Sequence, residues 1–180
     1  CDDDLRALVA DMFETMDAAP GVGLAGPQHG APLRLFVYSY EHDPDGPHRG
    51  VAINPTLWIT PTPTGEPDDD TESEGCLSVP GERFPLRRSP RARLEAVDID
   101  GKPFTLEARG WFARCIQHET DHLDGVLYVD RLDFLHQRRA RKAISGSMAW
   151  ACPHRNEPSR KMPVPTAKTG LRPYRSASLP

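Results

Sequence analysis

Apolar residues recur at Leu5, Leu8, Val9, Met12, Phe13 and Met16, the three-and-four spacing of a helix with one buried face. Asp2, Asp3 and Asp4 put negative charge where the helix dipole favours it, and Pro20-Gly21 ends the run. A helix is therefore expected over about Asp3 to Ala18, its Met and Phe stripe serving as core. Leu33 to Tyr40 and Val51 to Thr60 are apolar, β-branched and aromatic runs bounded by turn formers, and Arg91 to Asp100 alternates; all three read as strands. Asp100-Gly101 signals a hairpin whose second strand is Pro103 to Ala108, with Pro103 at its start or on an edge. A second helical pattern runs from near Arg109 to Asp124, with Trp111, Phe112, Cys115 and Ile116 facing a core and Gly125 as terminator. Val126 to Val129 reads as a short strand or extended link, and Phe134 to Ile144 as a basic amphipathic helix.

The segments between these elements are polar or rich in glycine. Gly21 to Gly30 holds four glycines in ten residues and reads as a loop; its functional reading is the wall of a cleft with Gln28 pointing in. No strand precedes it and no Gly-Lys-Ser/Thr follows, which argues against a phosphate-binding loop. His42 and His48 fall in a polar loop and are expected to be solvated. Pro61 to Ser73 reads as an exposed loop with an acidic tip at Asp68-Asp69-Asp70, after which Glu74 to Pro80 returns to apolar character.

At 180 residues the chain is one domain's worth, and no run of eighteen apolar residues proposes a membrane span. It opens on Cys1 rather than Met, so a fragment or processed form is expected. Four cysteines, at 1, 76, 115 and 152, are too sparse for a disulfide framework and point to reduced thiols in the cytoplasm. The net charge of -4 is uneven: residues 151–180 carry +5 and the rest -9. Few apolar residues lie beyond Trp150, so residues 1–150 are expected to form one folded domain and 151–180 a disordered basic tail. Its charge alone raises a weak ribosome contact, against which a solubilising extension is the simpler account.

The chemistry concentrates in Gln117-His118-Glu119-Thr120-Asp121-His122-Leu123-Asp124-Gly125. On a helix His118 and His122 project from one face, so two imidazoles can share one cation while Glu119 reaches a water beside it. A solvent-facing helix that happens to carry two histidines is the bland alternative. A catalytic metal needs a third protein ligand. Tyr128 stands where the metzincin pattern would place a histidine, and the thermolysin pattern needs a Glu on a later helix whereas after Asp133 the only acid is Glu157, which leaves both peptidase patterns incomplete. Cys76 is the remaining soft donor in an ordered setting, and with the two imidazoles it leaves a fourth tetrahedral position for water. Cys115 is a poorer ligand and reads better as a small buried residue; a metal-free Cys76–His nucleophile would leave the second His and Glu119 without a task.

Three stretches taken together resemble the peptide deformylase family: Gly21-Val22-Gly23-Leu24-Ala25-Gly26-Pro27-Gln28, Glu74-Gly75-Cys76-Leu77-Ser78, and Gln117 to Gly125. They occur in the family's order, and the resemblance covers roughly Leu5 to Ile144. It implies an α+β fold in which a central motif-bearing helix is surrounded by antiparallel β-sheets, with an N-terminal and a C-terminal helix. It implies removal of formyl from the N-terminal methionine of nascent polypeptides, a metal held by Cys76, His118 and His122, and attack by metal-bound water with Glu119 as general base. It assigns oxyanion contacts to Gln28 and the Leu77 backbone N–H, and favours Fe²⁺ as the physiological ion, although Zn²⁺, Ni²⁺ and Co²⁺ suit the same donors. Substrate contacts are expected at Gly23 and Gly75 by strand addition, at Cys115 in an apolar methionine pocket, and at Arg83 near the peptide's carboxyl side. Against the family pattern, Gly26 replaces an alanine, Arg114 stands where some relatives carry an apolar residue, and a strand-bearing segment ahead of the first helix is lacking. A zinc endopeptidase and a binding module with a closed structural metal are the competing classes.

Overall fold

The computed structural model describes residues 3–145 and 158–162. It begins with α1 (Asp3–Ala18), which buries Leu5, Val9, Met12 and Met16. Seven strands follow: β1 (Gly23–Ala25), β2 (Leu35–Tyr40), β3 (His48–Ile59), β4 (Ser73–Cys76), β5 (Val79–Pro85), β6 (Arg91–Val97) and β7 (Pro103–Arg109). Two helices, α2 (Gly110–Leu123) and α3 (Phe134–Ser145), come after them. Five strands form one antiparallel sheet in the order β1-β2-β3-β6-β7, and β4 with β5 makes a separate hairpin. The fold is α+β, as expected.

Period-two alternation decides which helix meets which face of the large sheet. Along β2, Leu35 and Val37 join the α1 residues in one cluster, whereas Phe36 and Tyr38 join Phe112, Ile116 and Leu123 of α2 in another. On β3 Val51 and Ile53 belong to the first cluster and Ala52 to the second. The sheet is thus covered on both faces, and α2 lies buried across it. A third cluster joins Val79, Phe84 and Leu86 to Leu127, Tyr128, Val129, Ala140 and Ile144, fastening the hairpin to α3.

Several local expectations fail where tertiary pairing overrides sequence pattern. The glycine-rich stretch is not wholly loop: Gly23–Ala25 pairs with Phe36–Tyr38 as β1, and Gly26–His29 makes a 3-10 turn. Glu74 to Pro80 belongs to the β4–β5 hairpin, whose glycines and prolines hide its alternation. Of the two readings of Val126 to Val129 the extended link holds at Leu127 and the strand does not, because the chain then winds into a 3-10 turn at Tyr128–Arg131. Trp111 is 42% exposed rather than core, and its ring packs against the Arg114 guanidinium at 4.8 Å. His48 is not simply solvated; it opens β3 and stacks on Phe112 with ring centroids 4.5 Å apart.

The tail expectation also needs correcting. Arg160 bridges to Leu33 in parallel pairing, and Ser159 and Met162 are hydrogen-bonded to the body, so residues 158–162 are docked. The rest of 151–180, and with it the ribosome contact raised by charge, lies outside the described residues. Among the described residues no helix is long and apolar enough to cross a membrane.

Phe112 is the best probe of the core. It is fully buried, and the rings of Tyr40 and His48 lie nearly parallel to it. Phe112→Ala is expected to lower unfolding free energy by about 3–5 kcal/mol through lost burial and a residual cavity. Urea denaturation would show this as a lower midpoint at unchanged slope.

Candidate metal centre

On α2, His118 and His122 stand one turn apart with their Nε2 atoms 3.2 Å from each other. Cys76 ends β4, where the pairing register shifts after Gly75, and its Sγ lies 3.2 Å from His122 Nε2. One donor atom from each of the three lies within 4.8 Å of the others, a group that could hold a metal ion. Donors about 2.0–2.3 Å from one tetrahedral ion would stand about 3.3–3.6 Å apart, and the two 3.2 Å separations, both involving His122, lie near that range.

The two imidazoles are oriented differently. His118 Nδ1 meets Glu74 Oε2 at 3.0 Å, which turns Nε2 toward Cys76 and His122. This is the carboxylate–histidine support common behind metal ligands. His122 Nδ1 is buried with no hydrogen-bond partner among the described residues. Burial and the charges of His118 and Arg88 hold the His122 imidazole well below its usual range, leaving it neutral and able to donate a lone pair. Burial would also lower His118, but contacts with Cys76 and Glu74 outweigh it and raise the group well above its ordinary value.

Glu74 itself is 3% exposed and depends on arginines. Arg88 grips both carboxylate oxygens at 2.8 and 2.9 Å, and Arg114 adds a contact at 2.8 Å. Burial alone would raise the Glu74 carboxyl, yet Arg88 and His118 together hold it well below the usual carboxylate range. Arg88 reaches on to Asp121 at 2.6 Å, which Arg131 also holds, so β4 and α2 are tied by charge directly behind the ligands.

Glu119 lies beside this cluster and is 4% exposed, with Oε2 lacking a hydrogen-bond partner among the described residues. Burial pushes its carboxyl up to about 7, against the opposing pull of His118. A Cβ at Gly23 would sit 2.4 Å from Glu119 Oε1, so only glycine at the head of β1 leaves room for the acid. Gln28 comes from the 3-10 turn after β1. Its amide oxygen accepts the Ala25 N–H at 2.9 Å, which leaves the amide nitrogen to face Ser78 Oγ at 3.1 Å and Cys76 Sγ at 3.6 Å.

A cavity of about 530 Å³ opens over these groups. Gly23, Gln28, Glu119, Cys76 and His118 line its floor, while Gly75, Leu77, Arg83 and Cys115 line its walls. His122 is not among the lining residues. Leu77 is 40% exposed, and burial pushes the Cys115 thiol up to about 12, where it acts as an apolar surface. Arg83 spends one guanidinium nitrogen on Ser73 O at 2.9 Å.

Residues 1–138 match the family model described as polypeptide deformylase. The chain belongs to this family. It is 53% identical to the peptide deformylase of Mycobacteroides abscessus over 153 residues, covering 84% of this chain and 77% of that protein. It is 49% identical to that of Tropheryma whipplei over 163 residues, with 83% and 79% covered. Among solved structures it resembles the Legionella pneumophila peptide deformylase at a TM-score of 0.68 and 39% identity, covering 81% of each chain. The Synechococcus elongatus enzyme in complex with actinonin aligns at 0.68 and 38% identity, covering 82% of this chain and 78% of that one.

In this deformylase-family chain the structure places Cys76, His118 and His122, which could hold a metal ion, beside Glu119 and Gln28, and sequence reasoning missed the arginine support. Glu74 was quoted only as part of a motif. That Glu74 precedes Cys76 by two on a strand, so that both can turn toward one helix, was the available hint. Arg88, Arg114 and Arg131 carried no local signal, since pairing across 10 to 40 residues is visible only in three dimensions. Arg88→Leu removes the two-point partner of Glu74 and one of the two arginines on Asp121, leaving each buried carboxylate under-compensated, and is expected to cost about 3–5 kcal/mol of stability in chemical denaturation.

Proposed function

We propose that this chain removes formyl from the N-terminal formylmethionine of newly made polypeptides, releasing formate in the cytoplasm. The observation that carries the reading is the convergence of Cys76 Sγ, His118 Nε2 and His122 Nε2 beside an acid that burial holds near neutrality. Cys76, His118 and His122 would hold one divalent ion. Fe²⁺ is the proposed physiological ion, and Zn²⁺, Ni²⁺ or Co²⁺ can use the same sulfur and nitrogen donors. When bound, such an ion acts as a Lewis acid and makes water acidic enough to react near neutral pH.

The protein's own groups do the rest, and all of them fall in residues 1–150. Glu119 takes a proton from the attacking water and returns it to the departing amine; a carboxyl near 7 can do both at neutral pH. Gln28 presents only amide hydrogens to the site, because its oxygen is occupied by Ala25. With the backbone N–H of Leu77 it would stabilise the oxygen on which charge develops. An extended substrate would lie between Gly23 and Gly75 through main-chain hydrogen bonds, with its methionine against Cys115 and its carboxyl side toward Arg83.

Formate release from formyl-Met-Ala-Ser, followed anaerobically alongside metal analysis, tests the reading. Glu119→Ala is expected to keep its metal and lose about 10²–10⁴ in rate. Gln28→Ala should retain metal and lose about 10²–10³ in kcat, and Cys76→Ala should lose the metal itself. Parent rates in the metal-loaded Glu119→Ala form, or no formate from the parent, would sink the proposal. Gly23→Ala forces Glu119 aside and should lower kcat at least about tenfold, with about 1–3 kcal/mol of stability lost to overpacking.

A further inference from the structure

Residues 158–162 lie beyond the matched 1–138 and take no part in the chemistry above, yet they meet the body at the place where the motif helix ends. The carbonyl of Leu123, the last residue of α2 and the neighbour of His122, accepts hydrogen bonds from Ser159 N at 2.8 Å and Ser159 Oγ at 2.9 Å. Arg34 Nη1 adds a third at 3.3 Å and binds Asp124 Oδ1 at 2.7 Å. Leu123 is fully buried, so its carbonyl, one of those a helix end leaves without a helical donor, finds its donors in the strap and in Arg34. Arg160 then pairs in strand fashion, donating its N–H to Pro32 O at 2.9 Å and accepting from Arg34 N at 2.7 Å.

Asn54 closes the clasp. Its side-chain amide receives Met162 N–H at 2.8 Å and donates to Met162 O at 2.7 Å, matching both main-chain groups of one residue. Among the described residues Asn54 is the one non-glycine with positive φ, at 49°, and it sits where β3 breaks register with β6. A left-handed residue is an unfavourable conformation that persists where surrounding contacts hold it, and here those contacts reach 108 residues along the chain.

We propose that residues 158–162 are a positioning strap for the metal centre, and that Ser159 and Asn54 act through the end of α2 to fix His122. The inference rests on the metal reading above. His118 has Glu74 to orient it, whereas His122 has no hydrogen-bond partner on Nδ1 among the described residues and takes its position from packing and from the backbone that the strap holds. Loosening the strap therefore displaces one ligand of three.

The test uses the full chain loaded with Zn²⁺ and follows release of the ion to a chelator. Asn54→Gly accepts the positive φ and removes only the amide clasp; Ser159→Ala removes one donor to Leu123 O. Release is expected to quicken about tenfold in Asn54→Gly and severalfold in Ser159→Ala, while Ser159→Thr keeps the hydroxyl and the parent rate. Hydrogen exchange at the Asp124 to Val126 amides should quicken in parallel in both the zinc-bound and the metal-free protein. Parent-like release in Asn54→Gly and Ser159→Ala, or a lower melting midpoint with unchanged release, overturns the strap. A parent that holds no zinc overturns the metal reading instead, and exchange in the metal-free proteins then decides the strap by itself.

Discussion

A carboxylate 3% exposed to solvent needs compensating charge, and the site is arranged around how Glu74 obtains it. Arg88 donates to both its oxygens, Arg114 adds a third contact, and His118 Nδ1 donates to Oε2. Because Arg88 also reaches Asp121 on α2, the same guanidinium fixes the distance between the strand that carries Cys76 and the helix that carries the histidines. Two chain segments more than forty residues apart are thereby held at ligand spacing. Hydrophobic packing around α2 brings them near one another, but it is too undirected to set positions to a fraction of an ångström.

The surrounding fold sustains that network by excluding water from most of α2. The large sheet covers one flank with Phe36, Leu57 and Leu94, and the Tyr128 ring lies against His118 with centroids 6.0 Å apart. The same exclusion raises the Glu119 carboxyl toward neutrality and lowers His122. Burial here acts twice: it stabilises the helix, and it tunes the groups the helix presents. Gly23 shows the geometric side of this, since the absent side chain on β1 is the space Glu119 occupies.

Much of the fold was legible from local pattern, because α1, α2, α3 and the β6–β7 hairpin are each specified by their own periodicity and turn residues. β1 was not, since Gly-Leu-Ala carries no strand preference and becomes a strand only through pairing with Phe36–Tyr38. β4 and β5 were hidden for a related reason: Gly75, Pro80 and Gly81 break the alternation that the ladder nonetheless imposes. Trp111 was misplaced because helical spacing identifies a face but cannot say how far the cover over that face extends. The docked residues 158–162 were missed because composition reports whether a segment can bury a core of its own, and this segment uses a groove built by others.

By itself the sequence determined the donor types and their helical spacing. Two histidines four apart and an adjacent acid are local facts, fixed by the pitch of a helix, and the cysteine could be chosen by the shortage of other soft donors. Only the tertiary structure decided that Cys76 reaches the histidines, that Glu74 rather than water orients His118, and that Arg88, Arg114 and Arg131 hold the charges together. Periodicity is a property of neighbours along the chain. The free energy of a buried charge depends on every group within a few ångströms, wherever in the chain that group originates.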